Sequence, residues 1–205
     1  WIPDDLRGAW TRQWKHAFEK GTRQLVPAFV DPNNPGMTGP VQNQPDFQAG
    51  AVDHRTHFAS AVPDLVRRAM DEYADLSGRQ YHPIMTYDTE DADVVMVALG
   101  SVTDDVRAVL PYLRAQGIKA GLVSVKMLQP FPEADIVAAL DGKKSVLVLE
   151  RSDQMALTQL VTSALYKGQD NIEKVRHAGI PAMTHPVPDL SSAIFGLGGH
   201  DLQPR

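Results

Sequence analysis

No cysteine occurs anywhere in the 205 residues. That absence removes disulfides, thiolate nucleophiles, iron–sulfur ligation and cysteine zinc sites together. No apolar run approaches the roughly 18–20 residues that a membrane-spanning helix needs, and no secretory leader pattern opens the chain. The net charge is −5, both signs are scattered, and no basic patch with interleaved aromatics stands out. Nucleic acid is therefore not an expected partner, and neither is a membrane. A Walker sequence and a Gly-x-Ser-x-Gly nucleophile elbow are both missing. The expectation is a soluble, cytoplasmic chain, since a cysteine-free composition is compatible with a reducing compartment.

What is present is enough apolar material for a core, 43% of residues, organised around the stretch Asp91–Pro132. Asp93–Ser101 is a short, continuous apolar run ending in Gly-Ser, the pattern of a strand buried on both faces. Val102–Gln116 follows with Val102, Val106, Val109, Leu110 and Leu113 at helical spacing, and Gly117 stops it. Lys119–Leu128 is a second apolar strand closed by Pro130 and Pro132. These three segments make one βαβ unit of a parallel sheet. Downstream, the pattern predicts a helix over Glu133–Leu140, a third strand over Ser145–Leu149 and a helix over Gln154–Lys167. Ala178–His185 reads as an irregular or edge strand because of Pro181. Alternation of strands and helices predicts a doubly wound, mostly parallel α/β sheet with an N-terminal helical and loop arm.

Upstream, Trp1, Trp10 and Trp14 are followed by Phe18, Leu25, Val26 and Phe29, and Asp4 can cap a helix over roughly 4–20. Clustered Trp implies burial, either on this chain's own domain or on another domain or subunit. The chain opens on Trp1 rather than Met, which suggests a piece of a longer polypeptide. Residues 31–50 carry four Pro and three Gly, so they read as a long ordered loop wrapping a neighbour. Residues 51–77 resume as helix, with Leu65, Ala69, Met70, Tyr73 and Leu76 as its apolar stripe and Gly78 at its end. His54 and His57 stand three apart, a spacing a metal could use. No third ligand completes a pattern, so solvated or hydrogen-bonded histidines are expected.

Catalytic and cofactor-binding residues are not apparent. The first strand–helix turn holds only Gly100 where a dinucleotide turn wants several glycines, so Ser101 or Thr103 is expected to cap the helix. Gly196–Gly199 reads as a turn needing positive φ rather than an anion cradle. Glu150 and Arg151 follow the third strand, where the carboxyl ends of parallel strands face ligands and partner surfaces. They form either a solvated ion pair or interface contacts.

The runs Asp91–Ser101 and Leu113–Pro132 resemble the transketolase C-terminal-type domain. More narrowly, they are similar to the second domain of pyruvate:ferredoxin oxidoreductase and related 2-oxoacid:acceptor oxidoreductases. Pro35–Gln48 is similar to that family's Gly-x-Ala-Gln-Asn-x-Asp loop, and Leu76–Tyr81 to its Leu-Thr-Gly-Arg-x-Tyr link. Val148–Arg151 and Phe195–Asp201 resemble its Val-Leu-Asp-Arg and Tyr-Gly-Leu-Gly-Ser-Lys-Asp segments. The resemblance runs from about residue 30 to 202 in the family's order. It implies part of a thiamine diphosphate enzyme that converts a 2-oxoacid and CoA to acyl-CoA and CO2. Electrons would pass through iron–sulfur clusters to ferredoxin or a similar acceptor.

The resemblance further implies that residues 1–50 are an arm and the tail of a preceding domain, 51–90 a helix and linker, and 91–205 the α/β domain. This chain has no Gly-Asp-Gly…Asn-Asn segment for a magnesium–diphosphate site and no cluster ligands, so no catalytic residue carries over. A structural and assembly role beside thiamine-binding and iron–sulfur domains or subunits is expected. Gln42, Asn43, Asp46, Ser101, Glu150 and Arg151 are the candidates for active-site-proximal or interface contacts. A stand-alone protein-binding module is the rival reading. An independent transketolase-like enzyme or hydrolase is disfavoured by the missing motifs.

Overall fold

The computed structural model describes residues 41–200. The chain divides into two compact units, Trp1–Gln80 and Tyr81–Arg205. The aromatic arm, the helix expected over 4–20 and the first half of the 31–50 loop lie outside the described residues.

In the first unit, α1 spans Gln44–Asp53. This corrects the reading of residues 31–50 as loop throughout. Asn43 is extended, its side chain accepts the Asp46 N–H at 3.1 Å, and a proline occupies the first turn. An amide cap followed by Pro is a helix-start signal that outweighs the local density of turn residues. A wide turn over His54–Phe58 follows, closed by the Ala59 N–H on the His54 carbonyl at 2.9 Å. Helix α2, Val62–Ser77, ends at Gly78 with φ +68, where a left-handed conformation suits glycine. None of the residues of α2 is buried.

The second unit is a five-stranded sheet. Its elements are β1 (Ile84–Tyr87), β2 (Val94–Leu99), α3 (Val102–Ala115), β3 (Ala120–Val125), α4 (Glu133–Leu140), β4 (Ser145–Glu150), α5 (Ala156–Asp170) and β5 (Asp189–Ile194). The strand order is β1-β3-β2-β4-β5. β1 runs antiparallel to β3 and every other pairing is parallel. The doubly wound, mostly parallel sheet is therefore present, with helices on both faces.

The apolar strand runs dictate this layering, because residues of alternate parity face opposite helices. Val95, Val97, Val123, Val125, Val146 and Val148 face α4 and α5, meeting Ile136, Leu140, Val161 and Leu165. Ala98, Leu122 and Leu149 face α3 and its Val102, Val106 and Leu110. Each fully buried Val or Leu contributes about 1.5–3 kcal/mol of transfer free energy, so these rows dominate the stability of the sheet. Gly121 sits where the β1–β2 loop crosses β3. A Cβ there would lie 2.7 Å from the Asp88 carbonyl oxygen, so only glycine permits the approach.

One expectation fails at a sheet edge, and the other edge strand is not foreseen. Ala178–His185 forms no strand, and β5 begins at Asp189 instead. Pro181 interrupts that segment and Pro186 follows it directly, and only Met183 of it is buried, packed in the α4–α5 layer. Strand β1 was not legible either, being four residues between Pro83 and Asp88.

Two polar clusters hold the connections. The Asn171 side chain, buried after α5, accepts the N–H groups of Arg176 and His177 and donates to the His177 and Ile180 carbonyls. Asp141, at the end of α4, accepts the N–H groups of Thr184 and His185 at 2.9 and 3.0 Å. Burial works to raise the Asp141 pKa. The hydrogen bonds from Thr184 and His185 outweigh it and hold the carboxyl below its ordinary value.

Candidate functional site

The carboxyl ends of β2, β3, β4 and β5 form one rim, as parallel pairing requires. Val97 pairs with Val148, so Leu99 and Glu150 end their strands at the same level. This brings Ser101, Glu150 and Arg151 to one side of the sheet. Gln42, Asn43 and Asp46 belong to the other unit. Asn43 is the cap of α1, Asp46 lies in its first turn, and Gln42 is exposed just before it.

Neither Ser101 nor Thr103 caps α3 through its side chain. Ser101 already has helical angles, φ −64 and ψ −27, and makes no side-chain capping bond. A capping hydroxyl needs an extended backbone to reach the free amides. The Thr103 hydroxyl instead donates back to the Gly100 carbonyl at 2.7 Å. Asp104 and Asp105 place negative charge in the first turn, which suits the positive end of the helix.

Glu150 is not a solvated ion-pair partner. It is 3% exposed, and its Oε1 accepts the Thr158 N–H at 2.5 Å. Thr158 is the third residue of α5, so a carboxylate at the end of β4 satisfies an amide that the helix leaves free. The residue before α5 is Met155, held left-handed at φ +50 and making no side-chain cap. Glu150 fills that role from a distance. The adjacent Arg151 is exposed, and its side chain runs beside Gly196. A Cβ on Gly196 would stand 3.2 Å from Arg151 Nε, and Gly196 has φ +67. The glycine-rich end is a turn at this position, closed by the Phe195 N–H on the Glu150 carbonyl at 2.8 Å.

A groove of about 600 Å³ lies along the solvent face of α5, lined by Met155, Thr158, Thr162 and Tyr166 among others. Its donors and acceptors are hydroxyls, amides and one carboxylate, Asp153. The Oγ1 of Thr158 is buried without a hydrogen-bond partner, as is Ser124 Oγ within β3. Sequence reasoning missed both, since nothing in Thr-Gln or Val-Ser-Val distinguishes a paired hydroxyl from an orphan.

With no cysteine in the sequence, the chain offers no thiolate for an iron–sulfur cluster. Among the described residues no three or more His, Asp or Glu side chains gather as a metal site would require. Also among the described residues, no helix is long and apolar enough to cross a membrane.

Comparison with known proteins follows the same outline. Residues 92–205 match the family model described as pyruvate:ferredoxin oxidoreductase core domain II. The pyruvate synthase subunit PorA of Thermotoga maritima is 30% identical over 196 residues, covering 91% of this chain and 45% of that protein. A pyruvate-flavodoxin oxidoreductase of Klebsiella pneumoniae is 36% identical over 182 residues, covering 86% of this chain and 14% of that protein. A solved 2-oxoglutarate:ferredoxin oxidoreductase from Magnetococcus marinus matches with a TM-score of 0.46 and 23% identity, over 79% of this chain and 23% of that one. The chain thus spans less than half the length of these relatives. From β2 to its last strand, the α/β sheet lies within the matched residues, and the chain belongs to the pyruvate:ferredoxin oxidoreductase core domain II family.

Proposed function

We propose that this chain is a structural and assembly part of a thiamine diphosphate-dependent 2-oxoacid:acceptor oxidoreductase. The complete enzyme converts a 2-oxoacid and CoA to acyl-CoA and CO2 and passes electrons through iron–sulfur clusters to ferredoxin or a similar acceptor. One observation carries this reading: the family match spans the sheet unit from Ala92 onward. That unit's rim carboxylate, Glu150, is engaged in capping a helix rather than presented to a substrate.

On this reading residues 1–50 close a preceding domain, 51–90 link, and 91–205 form the second domain, to whose sheet the end of the linking stretch contributes β1. Reacting groups come from other domains or subunits in the cytoplasm. Ser101 and Arg151 at the rim, and Gln42, Asn43 and Asp46 around the start of α1, are contact candidates. Holding neighbouring domains in register matters because catalysis falls steeply with small misplacement of reacting groups.

Co-purification from the native source tests the assignment. A thiamine-binding and a cysteine-rich partner should accompany the chain, and a lone monomer would favour a stand-alone protein-binding module instead. The isolated chain, given thiamine diphosphate, Mg²⁺, CoA and pyruvate, should release no CO2. Measurable turnover would overturn the structural role.

A further inference from the structure

We propose that the apolar face of α2 is where the tryptophan-rich arm of this same chain, residues 1–18, docks. The pairing is independent of the function proposed above.

Exposure along α2 follows the helical period. Val62, Val66, Met70, Tyr73, Ala74 and Ser77 are half-buried and recur at spacings of three and four. The six charged residues of α2 are all exposed. In α1, by contrast, every residue is exposed and no face is favoured. A helix with nothing against it shields no side in preference to another, so one face of α2 has a neighbour. Neither α1 nor the wide turn after it packs along α2. The compact unit that holds α2 runs from Trp1 to Gln80, so residues 1–40 are the other long stretch within it.

Composition singles out the arm among those forty residues. Trp1, Trp10 and Trp14 are all the tryptophans of the chain. Leu6, Trp10, Trp14 and Phe18 stand four apart, a spacing that on a helix gathers them on one side. Residues 31–40 instead hold Pro32, Pro35, Gly36, Gly39 and Pro40, which break any continuous apolar row. An aromatic ring of this size buries on the order of 150–250 Å² when covered. Met70 and Tyr73 offer it a thioether and a second ring, both favourable partners.

Length and charge agree with this occupant. α2 has sixteen residues and is about 24 Å long, and residues 6–18 as a helix extend about 18 Å. Residues 1–30 carry five Lys or Arg against three Asp or Glu, whereas α2 carries four Asp or Glu against two Arg. Segments of opposite net sign attract, while two α2 helices from separate copies repel. The arm is therefore favoured over a second copy.

The positions of tryptophan and the absence of cysteine make the contact readable with one label. A nitroxide on Ala69→Cys, at the exposed margin of the stripe, should quench most of the tryptophan emission of the 205-residue chain. The same label on Arg68→Cys, on the opposite face, should quench far less. Val66→Asp with Met70→Asp should shift the emission to the red and abolish the quenching from position 69, whereas Arg68→Asp should do neither. Emission characteristic of water in the unaltered chain, or equal quenching from positions 68 and 69, overturns the docking. Quenching that survives the paired aspartates overturns the choice of face. Quenching that disappears on dilution reports a second copy and overturns the choice of occupant. The label on Ala69→Cys leaves every half-buried side chain in place, so its result stands even where the paired aspartates unfold α2.

Discussion

Glu150 and Thr158 are joined across eight residues: the carboxylate that ends β4 accepts the third amide of α5 at 2.5 Å. The strand thereby fixes where the following helix begins, although the turn between them carries a left-handed Met155. Removing the carboxylate leaves a helix amide unpaired beside the core. Glu150→Ala is expected to lower stability by about 1–2 kcal/mol, the range for a lost helix cap. Glu150→Gln keeps an acceptor and should lose less. Urea unfolding of both variants checks the order.

Asp141 ties the end of α4 to Thr184 and His185. Its pKa is lowered on folding, so its contribution is complete above the ordinary carboxylate value near 3.8. That contribution disappears as pH falls through the depressed folded value. Asp141→Asn should therefore reduce stability at neutral pH, by about 1–3 kcal/mol for the lost charge-assisted bonds. It should also flatten the acid limb of the stability profile. Melting temperature measured from pH 7 down to pH 3 separates these outcomes.

Asn171 makes four hydrogen bonds from a position 3% exposed. Asn171→Ala strands two carbonyls and two amides of the 172–180 segment. A loss of about 2–4 kcal/mol is expected from several bonds of about 1 kcal/mol each. Limited proteolysis should then cut within that segment before the rest of the sheet unit.

Gly121→Ala would force a methyl to within 2.7 Å of the Asp88 carbonyl oxygen and 3.0 Å of Thr89 Cα. Both are backbone atoms, so the β1–β2 loop must move, at roughly 1–3 kcal/mol or more. Gly50→Ala has the opposite sign. Gly50 lies within α1 with nothing within 4 Å of its missing Cβ, and Ala is the better helix former by about 1 kcal/mol. Circular dichroism melts of the pair should move in opposite directions.

The central βαβ unit was legible because buried parallel strands read as unbroken apolar runs, and α3, α4 and α5 carry a helical period. The predicted strand at Ser145–Leu149 missed only Glu150, whose charge argues against a strand end. Edges were harder. In β5, Leu-Ser-Ser-Ala is weakly β-forming, and its place is set by pairing with β4 rather than by its own residues. The antiparallel β1 is held by Val125, Ser124, Val123 and Leu122, some forty positions away in sequence. At the rim, the position just past the third strand singles out Glu150 and Arg151, but the role of Glu150 is hidden. A cap supplied from a strand leaves no mark at the helix start, where capping residues are normally sought.

Among the described residues the two layers over the sheet are unequal: fifteen buried residues join the α4–α5 side and seven the α3 side. Opening of the thinner side exposes less apolar surface, so it is the lower free-energy excursion. Amide protons of α3 should accordingly trade with deuterium sooner than those of α5. A binder that clamps α3 would therefore slow that exchange while leaving α5 untouched.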